Sequence, residues 1–294
     1  MNMSFLASEY APASPENAAF HIIPAPLEQS VSYGGGTCRG PEALLAASQQ
    51  LEAWESGFAP GEAGFYTAPA VDCSGPVEAA LERIEAAVDH ALACGALPVL
   101  VGGEHTVTLG ALRALAREAR ERGRPLGVIQ FDAHADLRSR YEGNPLSHAS
   151  VMHRVVADLG LPLAQFAVRD FCREEAEMRK QYNVTHYDAY FLARVGLPEL
   201  PLPGDFPRHI YISFDLDGLD SSLMPATGTP SPGGINWREA QFLLERCVAG
   251  RRVAGLDVVE LAPIPHLHHA DFTAAKLAHL LMGLAHDANR KEEA

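Results

Sequence analysis

The sequence predicts an α/β protein built on a largely parallel sheet, and three observations carry that prediction. Short apolar runs of strand length alternate with stretches whose apolar residues recur at helical spacing. Four of those runs stop abruptly at residues able to bind metal or exchange protons. No internal repeat, low-complexity tract or linker interrupts the 294 residues. One large domain is therefore expected over residues 20–294, preceded by a loosely ordered leader over residues 1–19.

The first strand is expected at Phe20 to Ile23. Three glycines follow, Gly34 to Gly36, which invite comparison with a phosphate-binding loop, but no Gly-Lys-Ser/Thr stands at the required spacing. A glycine turn is the better account. It leads through Gly40 and Pro41 into a helix from about Glu42, with proline near the first turn, where its missing N–H costs least. Between Pro76 and Gly95, apolar residues at 79, 81, 84, 88, 91 and 92 alternate with Glu and Arg, the pattern of an amphipathic helix closed by glycine. Leu97 to Val101 forms the next strand, Thr106 to Arg122 the next helix, and Pro125 to Phe131 a further strand, which together read as βαβ units. Later strands are expected at Ile210 to Phe214 and Val253 to Val259. Later helices fall at about Glu174 to Gln181, Trp237 to Ala249 and Phe272 to Ala285.

The chemistry concentrates where the apolar runs end. Phe131 to Asp136 reads FDAHAD, placing Asp132, His134 and Asp136 at alternate positions that share one side if the backbone stays extended. Carboxylate oxygens with imidazole nitrogen suit a hard or borderline divalent ion. Taken alone, the motif is equally a strand end with two solvated aspartates and a capping histidine. The other strand ends alter that balance: one run leads into His105, another into Asp215 and Asp217, and a fourth into Glu260. In a parallel α/β sheet the carboxyl ends of strands lie on one edge, so these side chains would converge there. The loop from Leu137 to Arg154 starts directly after Asp136 and carries His148, a candidate proton carrier, whose plainer reading is a cap for the helix that follows. Ser147 and Asp170 read as cap or turn residues.

A net charge of −14 argues against nucleic acid or an anionic membrane as partner and is compatible with a cationic small molecule. Cysteines at 38, 73, 94, 172 and 247 form no CxxC pair and read as reduced thiols. No apolar stretch is long enough to span a bilayer and the N-terminus has no signal-like pattern, so a cytoplasmic protein is expected.

GGEHTVTLG, FDAHADLR with NPLSHASVMHR, SFDLDGLD with ATGTPSPGG, and DVVELAP, taken in order, resemble the motifs of the ureohydrolases, the arginase and agmatinase family, and most of all its agmatinase branch. The likeness runs from SYGGGTCRGP to Thr273. It implies a three-layer α/β/α arginase-like sandwich, a homotrimer or homohexamer, and two Mn²⁺ per subunit, with Co²⁺ or Ni²⁺ accepting the same donors. His105 and Asp136 would hold one ion and His134 and Asp217 the other, with Asp132 and Asp215 reaching both. The implied reaction is attack on a guanidinium carbon by a metal-bridging hydroxide that forms near neutral pH. Asp136 would orient that nucleophile, Glu260 would hold the guanidinium, and His148 would pass a proton to the departing amine.

Departures from the pattern bear on the substrate. The arginase branch is expected to read its amino-acid head group with an Asn where this chain has Arg138, and with an Asp where VRDFC places Cys172. Both losses argue against arginine. Agmatine, cleaved to urea and putrescine, is the first expectation, with N1-aminopropylagmatine or 4-guanidinobutyrate as alternatives. Arg138 would pair with a substrate carboxylate if it pointed inward, and an outward, solvated position is preferred. His266, His268 and His269 read as a surface loop first and as a substrate-end contact or metal site second. A binuclear phosphoesterase should show a GNH-type cluster and basic phosphate contacts. A single-zinc deacetylase should carry a paired His-His segment, and a non-catalytic homologue should have lost a ligand. None of these signs is present.

Overall fold

The computed structural model describes residues 3–54 and 57–293. Eight parallel strands form one sheet in the order β2-β1-β3-β8-β7-β4-β5-β6. They span β1 Phe20–Ala25, β2 Phe65–Thr67, β3 Leu97–Gly102, β4 Leu126–Phe131, β5 Leu163–Phe166, β6 Thr185–Tyr187, β7 His209–Asp215 and β8 Arg252–Val259. The helices are α1 Gly40–Ser48, α2 Val77–Ala93, α3 Val107–Glu121, α4 Val151–Ala157, α5 Arg173–Gln181, α6 Ala189–Val195, α7 Trp237–Val248 and α8 His268–Glu293.

Both faces of the sheet are covered, which is why the central strands are apolar without alternation. Leu44 of α1, Leu192 of α6, Leu243 and Leu244 of α7 and the apolar side of α8 pack on one face. Leu81, Ile84 and Val88 of α2, Leu112 and Leu115 of α3 and Val155 of α4 pack on the other. The result is the expected three-layer α/β/α sandwich. Phe131 stacks between Phe166 and Phe214, with ring centroids 5.0 Å away on each side, and this apolar block backs the strand ends that carry the chemistry.

Several elements differ from the sequence reading. The leader is held, not loose: Phe5 and Leu6 are buried, Phe5 packs edge-on against Phe65 at 5.4 Å, and their backbone N–H groups donate to Thr67 and Ser48. The sequence reading did not include β2, β5, β6 and α6, and it had α4 only as an unbounded helix after His148. The edge strands β2 and β6 have three residues each, too few for a pattern, and β5 carries a fully buried glutamine, Gln165, that breaks its apolar run. Helix α8 begins at His268, not Phe272, because Ala270 already packs into the core.

Candidate metal centre

Four adjacent strands deliver the site from their carboxyl ends, so residues far apart in sequence meet in one place. β3 leads into His105, β8 into Glu260, β7 into Asp215 and Asp217, and β4 into Asp132, His134 and Asp136. The extended geometry assumed for FDAHAD does not persist. β4 ends at Phe131, and Asp136 takes a left-handed φ of 51° that turns its carboxylate back toward His105. Glu260 also adopts a left-handed φ, 68°, and is held there by a hydrogen bond from its N–H to the Gly103 carbonyl at 2.8 Å. Non-glycine residues in this conformation are uncommon and costly, and here both re-aim a carboxylate into the site.

Two clusters have metal-holding spacing, their donor atoms all within 4.8 Å of one another: His105 with Asp132 and Asp136, and Asp132 with His134 and Asp217. Asp132 belongs to both. His105 Nδ1 lies 3.2 Å from Asp132, 3.0 Å from Asp136 and 3.5 Å from Asp215, and His134 Nδ1 lies 3.0 Å from Asp217. His105 Nδ1 is buried without a well-aligned hydrogen-bond partner, and three carboxylates face it.

Charge crowding requires a cation there. Burial, reinforced by Asp132, pushes Asp136 up to about 7, and burial together with Asp217, Asp132 and Glu260 raises Asp215 well above the carboxylate range. Burial works against a charge on His134, yet Asp217 and Asp132 push it up to about 12. His105 is likewise raised, with burial opposing and Asp132 and Asp136 prevailing. Protons thus occupy the positions that divalent ions would take, and the donor set of oxygen and imidazole nitrogen fits such ions.

Buried His105 and half-buried His148 each contact a serine that donates to a buried carboxylate. His105 Nε2 donates to Ser213 Oγ at 2.8 Å, and Ser213 donates to Asp257 at 2.9 Å, leaving Nδ1 free to coordinate. Asp257 also accepts from Thr108 and Tyr211 at 2.8 Å each. Ser30 Oγ donates to Glu104 at 3.0 Å and lies 3.2 Å from His148 Nδ1. With the serine proton committed to Glu104, Nδ1 of His148 is the donor and Nε2 is left as an acceptor in the pocket. Burial holds His148 below its ordinary value, so it stays neutral there. On the far side, Gln130 donates to Asp132 at 2.6 Å, and Gln165 and buried Arg179 extend the chain. None of Ser30, Glu104, Ser213, Asp257, Gln130 or Gln165 was singled out from the sequence as functional. For Asp257 and Gln130 the available signal was a polar residue inside an otherwise apolar strand.

Glu260 spends Oε1 on the His105 N–H, 2.6 Å away, and keeps its other oxygen for a ligand. Burial pushes its carboxyl up to about 8, so a cationic partner is needed to keep it charged. A narrow pocket of about 20 Å³ leads to these groups and opens on a vestibule of about 190 Å³, the two sharing Ser32, His134, Asp136, His148 and Thr229. The mouth is clasped by two loops in backbone contact. Gly34 N–H donates to the Gly228 carbonyl at 3.0 Å, and a Cβ on Gly228 would lie 2.8 Å from the Gly34 oxygen.

The remaining sequence candidates fall outside the metal cluster. Arg138 lies 3.7 Å from Glu175 and over the Tyr141 ring, at the vestibule wall. Cys172 caps α5 in a reciprocal box with Glu175 and lines neither chamber. His266, His268 and His269 are exposed and line neither chamber, and His269 meets the Leu223 carbonyl at 2.8 Å, so the surface reading of this segment holds.

Fold and site together define a ureohydrolase. Residues 18–285 match the arginase family, and the chain belongs to that family, in its agmatinase branch. It is 37% identical to an N(1)-aminopropylagmatine ureohydrolase of Synechocystis sp., over 98% of this chain and 95% of the relative. It is 30% identical to an agmatinase of Pyrococcus horikoshii, over 92% of this chain and 93% of the relative. The solved agmatine ureohydrolase of Thermoplasma volcanium superimposes with a TM-score of 0.86 at 28% identity, covering 100% of this chain and 98% of that one.

Proposed function

We propose that the protein is a Mn²⁺-dependent cytoplasmic homo-oligomer that hydrolyses the guanidinium group of N1-aminopropylagmatine to urea and a triamine. Agmatine, the expectation from sequence, is the competing substrate. The observation that carries the reaction is the convergence of His105, His134 and four aspartates beside a buried Glu260 whose second oxygen is free. Those residues would hold a pair of divalent ions, which would supply the acidity that makes water a nucleophile near neutral pH. Glu260 binds the planar guanidinium by charge-assisted hydrogen bonds and turns its carbon toward that nucleophile. Asp136 accepts a hydrogen bond from the attacking group, and neutral His148 takes up at Nε2 the proton that the attacking water loses and returns it to the departing amine nitrogen. The buried walls exclude bulk water and strengthen each of these contacts.

Two observations favour the longer substrate. Relatives of Synechocystis sp. and Thermus thermophilus at 37% identity are named for N(1)-aminopropylagmatine, as is one of Thermococcus kodakarensis at 32%, against 30–34% for four relatives named agmatinases. The vestibule offers room beyond the narrow pocket, with Asp170 on its wall as a partner for the extra amine. Arg138, neighbouring Glu175, is poorly placed for a substrate carboxylate, which disfavours 4-guanidinobutyrate. The test is urea release by Mn²⁺-loaded protein from N1-aminopropylagmatine, agmatine, 4-guanidinobutyrate, arginine and guanidine. N1-aminopropylagmatine should give the highest kcat/KM, and Asp170→Asn should lower it more than that for agmatine. A preference for arginine, or no urea from any of the five, would refute the proposal.

A further inference from the structure

At the opposite end of the sheet from the metal centre lies a cavity of about 330 Å³ whose floor is built by the first residues of β1, β3, β4, β7 and β8. We propose that this cavity is a binding site for a small polyanion, a molecule carrying two or more phosphate or carboxylate groups. It stands apart from the hydrolytic reaction and does not depend on that reading.

The argument is one of charge and shape. The chain carries a net charge of −14, yet this cavity is lined by Arg122, Arg124, Arg252, Arg290, His209 and His286. Among the described residues lining it, Glu118 is the one carboxylate, and it is paired with Arg122 at 2.9 Å. Arg122 is answered by Glu118 and Arg252 has interactions of its own, so contacts to an anion fall to Arg124 and Arg290, whose planar forked heads match phosphate and carboxylate oxygens. After burial, Arg124 most depresses His209 and Arg290 most depresses His286, against smaller opposing effects of Glu292 and Asp287.

The walls are fixed in advance of binding. Asn289 of α8 accepts from the Val253 N–H at 2.8 Å and donates to its carbonyl at 2.9 Å, pinning the helix that carries Arg290 to the start of β8. A rigid cavity of this volume lies at the small end of the range for small-molecule sites, large enough for a short dicarboxylate or sugar phosphate. The acidic remainder of the surface would repel a nucleic acid.

The experiment is isothermal titration of the metal-loaded protein with fructose 1,6-bisphosphate and with succinate, against sodium chloride at equal ionic strength. Saturable binding of one molecule per subunit is expected for at least one probe and none for chloride, and the preferred probe tells phosphate from carboxylate chemistry. Arg124→Gln/Arg290→Gln should weaken that binding at least about tenfold while melting temperature and metal content stay unchanged. Ala119→Glu, which places a carboxylate on the cavity wall, should do the same and serves if the double variant fails to fold. No saturable binding of either probe, or equal affinity in folded variants, would overturn the proposal. So would a change in sedimentation on substitution, which would assign the cavity to a contact between subunits.

Discussion

Replacing Ser213 by alanine separates the part of the metal centre that coordinates from the part that orients. The change removes a single buried oxygen and leaves every expected ligand in place. It cuts the path from His105 Nε2 to Asp257, formed by contacts of 2.8 and 2.9 Å. His105 then has no acceptor to fix its ring, and Asp257 Oδ1 retains only the Phe214 N–H at 3.2 Å. A hydrogen bond involving a charged group contributes about 1.5–3 kcal/mol, which corresponds to roughly 10–100-fold in an equilibrium constant. The loss should appear as metal affinity weakened by that factor, in line with partners that orient a ligating histidine elsewhere. Competition titration of Mn²⁺ against a chelator measures it, and kcat at saturating metal should stay within about threefold of the unaltered protein. Unchanged affinity would refute the orienting role, and so would a large loss of kcat at full occupancy.

Other predictions follow from the same geometry. Because His105 and His134 are held protonated without metal and Asp136 and Asp215 are raised, ion binding at pH 7 should release at least about two protons per subunit. The sign follows from protons leaving as ions bind, so affinity should drop by about a hundredfold or more per unit as pH falls. Calorimetry in buffers of different ionisation enthalpy would reveal this, and zero proton release would contradict it. Asp132→Ala should lose metal and urea release together, since Asp132 serves both clusters, whereas His148→Ala should keep its metal and lose about a hundredfold or more in turnover. Metal analysis of the two folded variants distinguishes them. Gly228→Ala should force the two mouth loops apart and raise KM several-fold with metal content unchanged, and an unaltered KM would show that the clasp does not shape the mouth.

The fold was legible wherever an element was long enough to display its period. α2, α3 and α7, and the strands that end at the site, were placed within a residue or two because their apolar faces or runs are uninterrupted. The edge strands β2 and β6 are too short for any pattern, and burial of Phe5 and Leu6 depends on tertiary contacts that local sequence does not announce. In the site, the groups standing directly after strands were visible because the strand ends point to one edge. Their grouping depends on backbone turns at Asp136 and Glu260 that no local preference signals. The supporting serines and Gln165 were invisible for another reason: each acts through a partner more than 30 positions away, as Ser30 does with His148 and Gln165 with Gln130.

The position of β8 bears on how the protein is made. This last strand is inserted between β3 and β7, and it carries Glu260 at its end. During synthesis, β1 to β7 emerge first, yet the two strands that flank the gap cannot complete their pairing until residues 252–259 leave the ribosome. Until then, two inner strand edges stay open to wrong partners, and the bed that sets the spacing of His105 and Asp215 is missing. Any ion uptake at these residues would therefore come late, coupled to closure of the sheet. A nascent chain released short of β8 would carry all six candidate ligands and still lack the scaffold that brings them together.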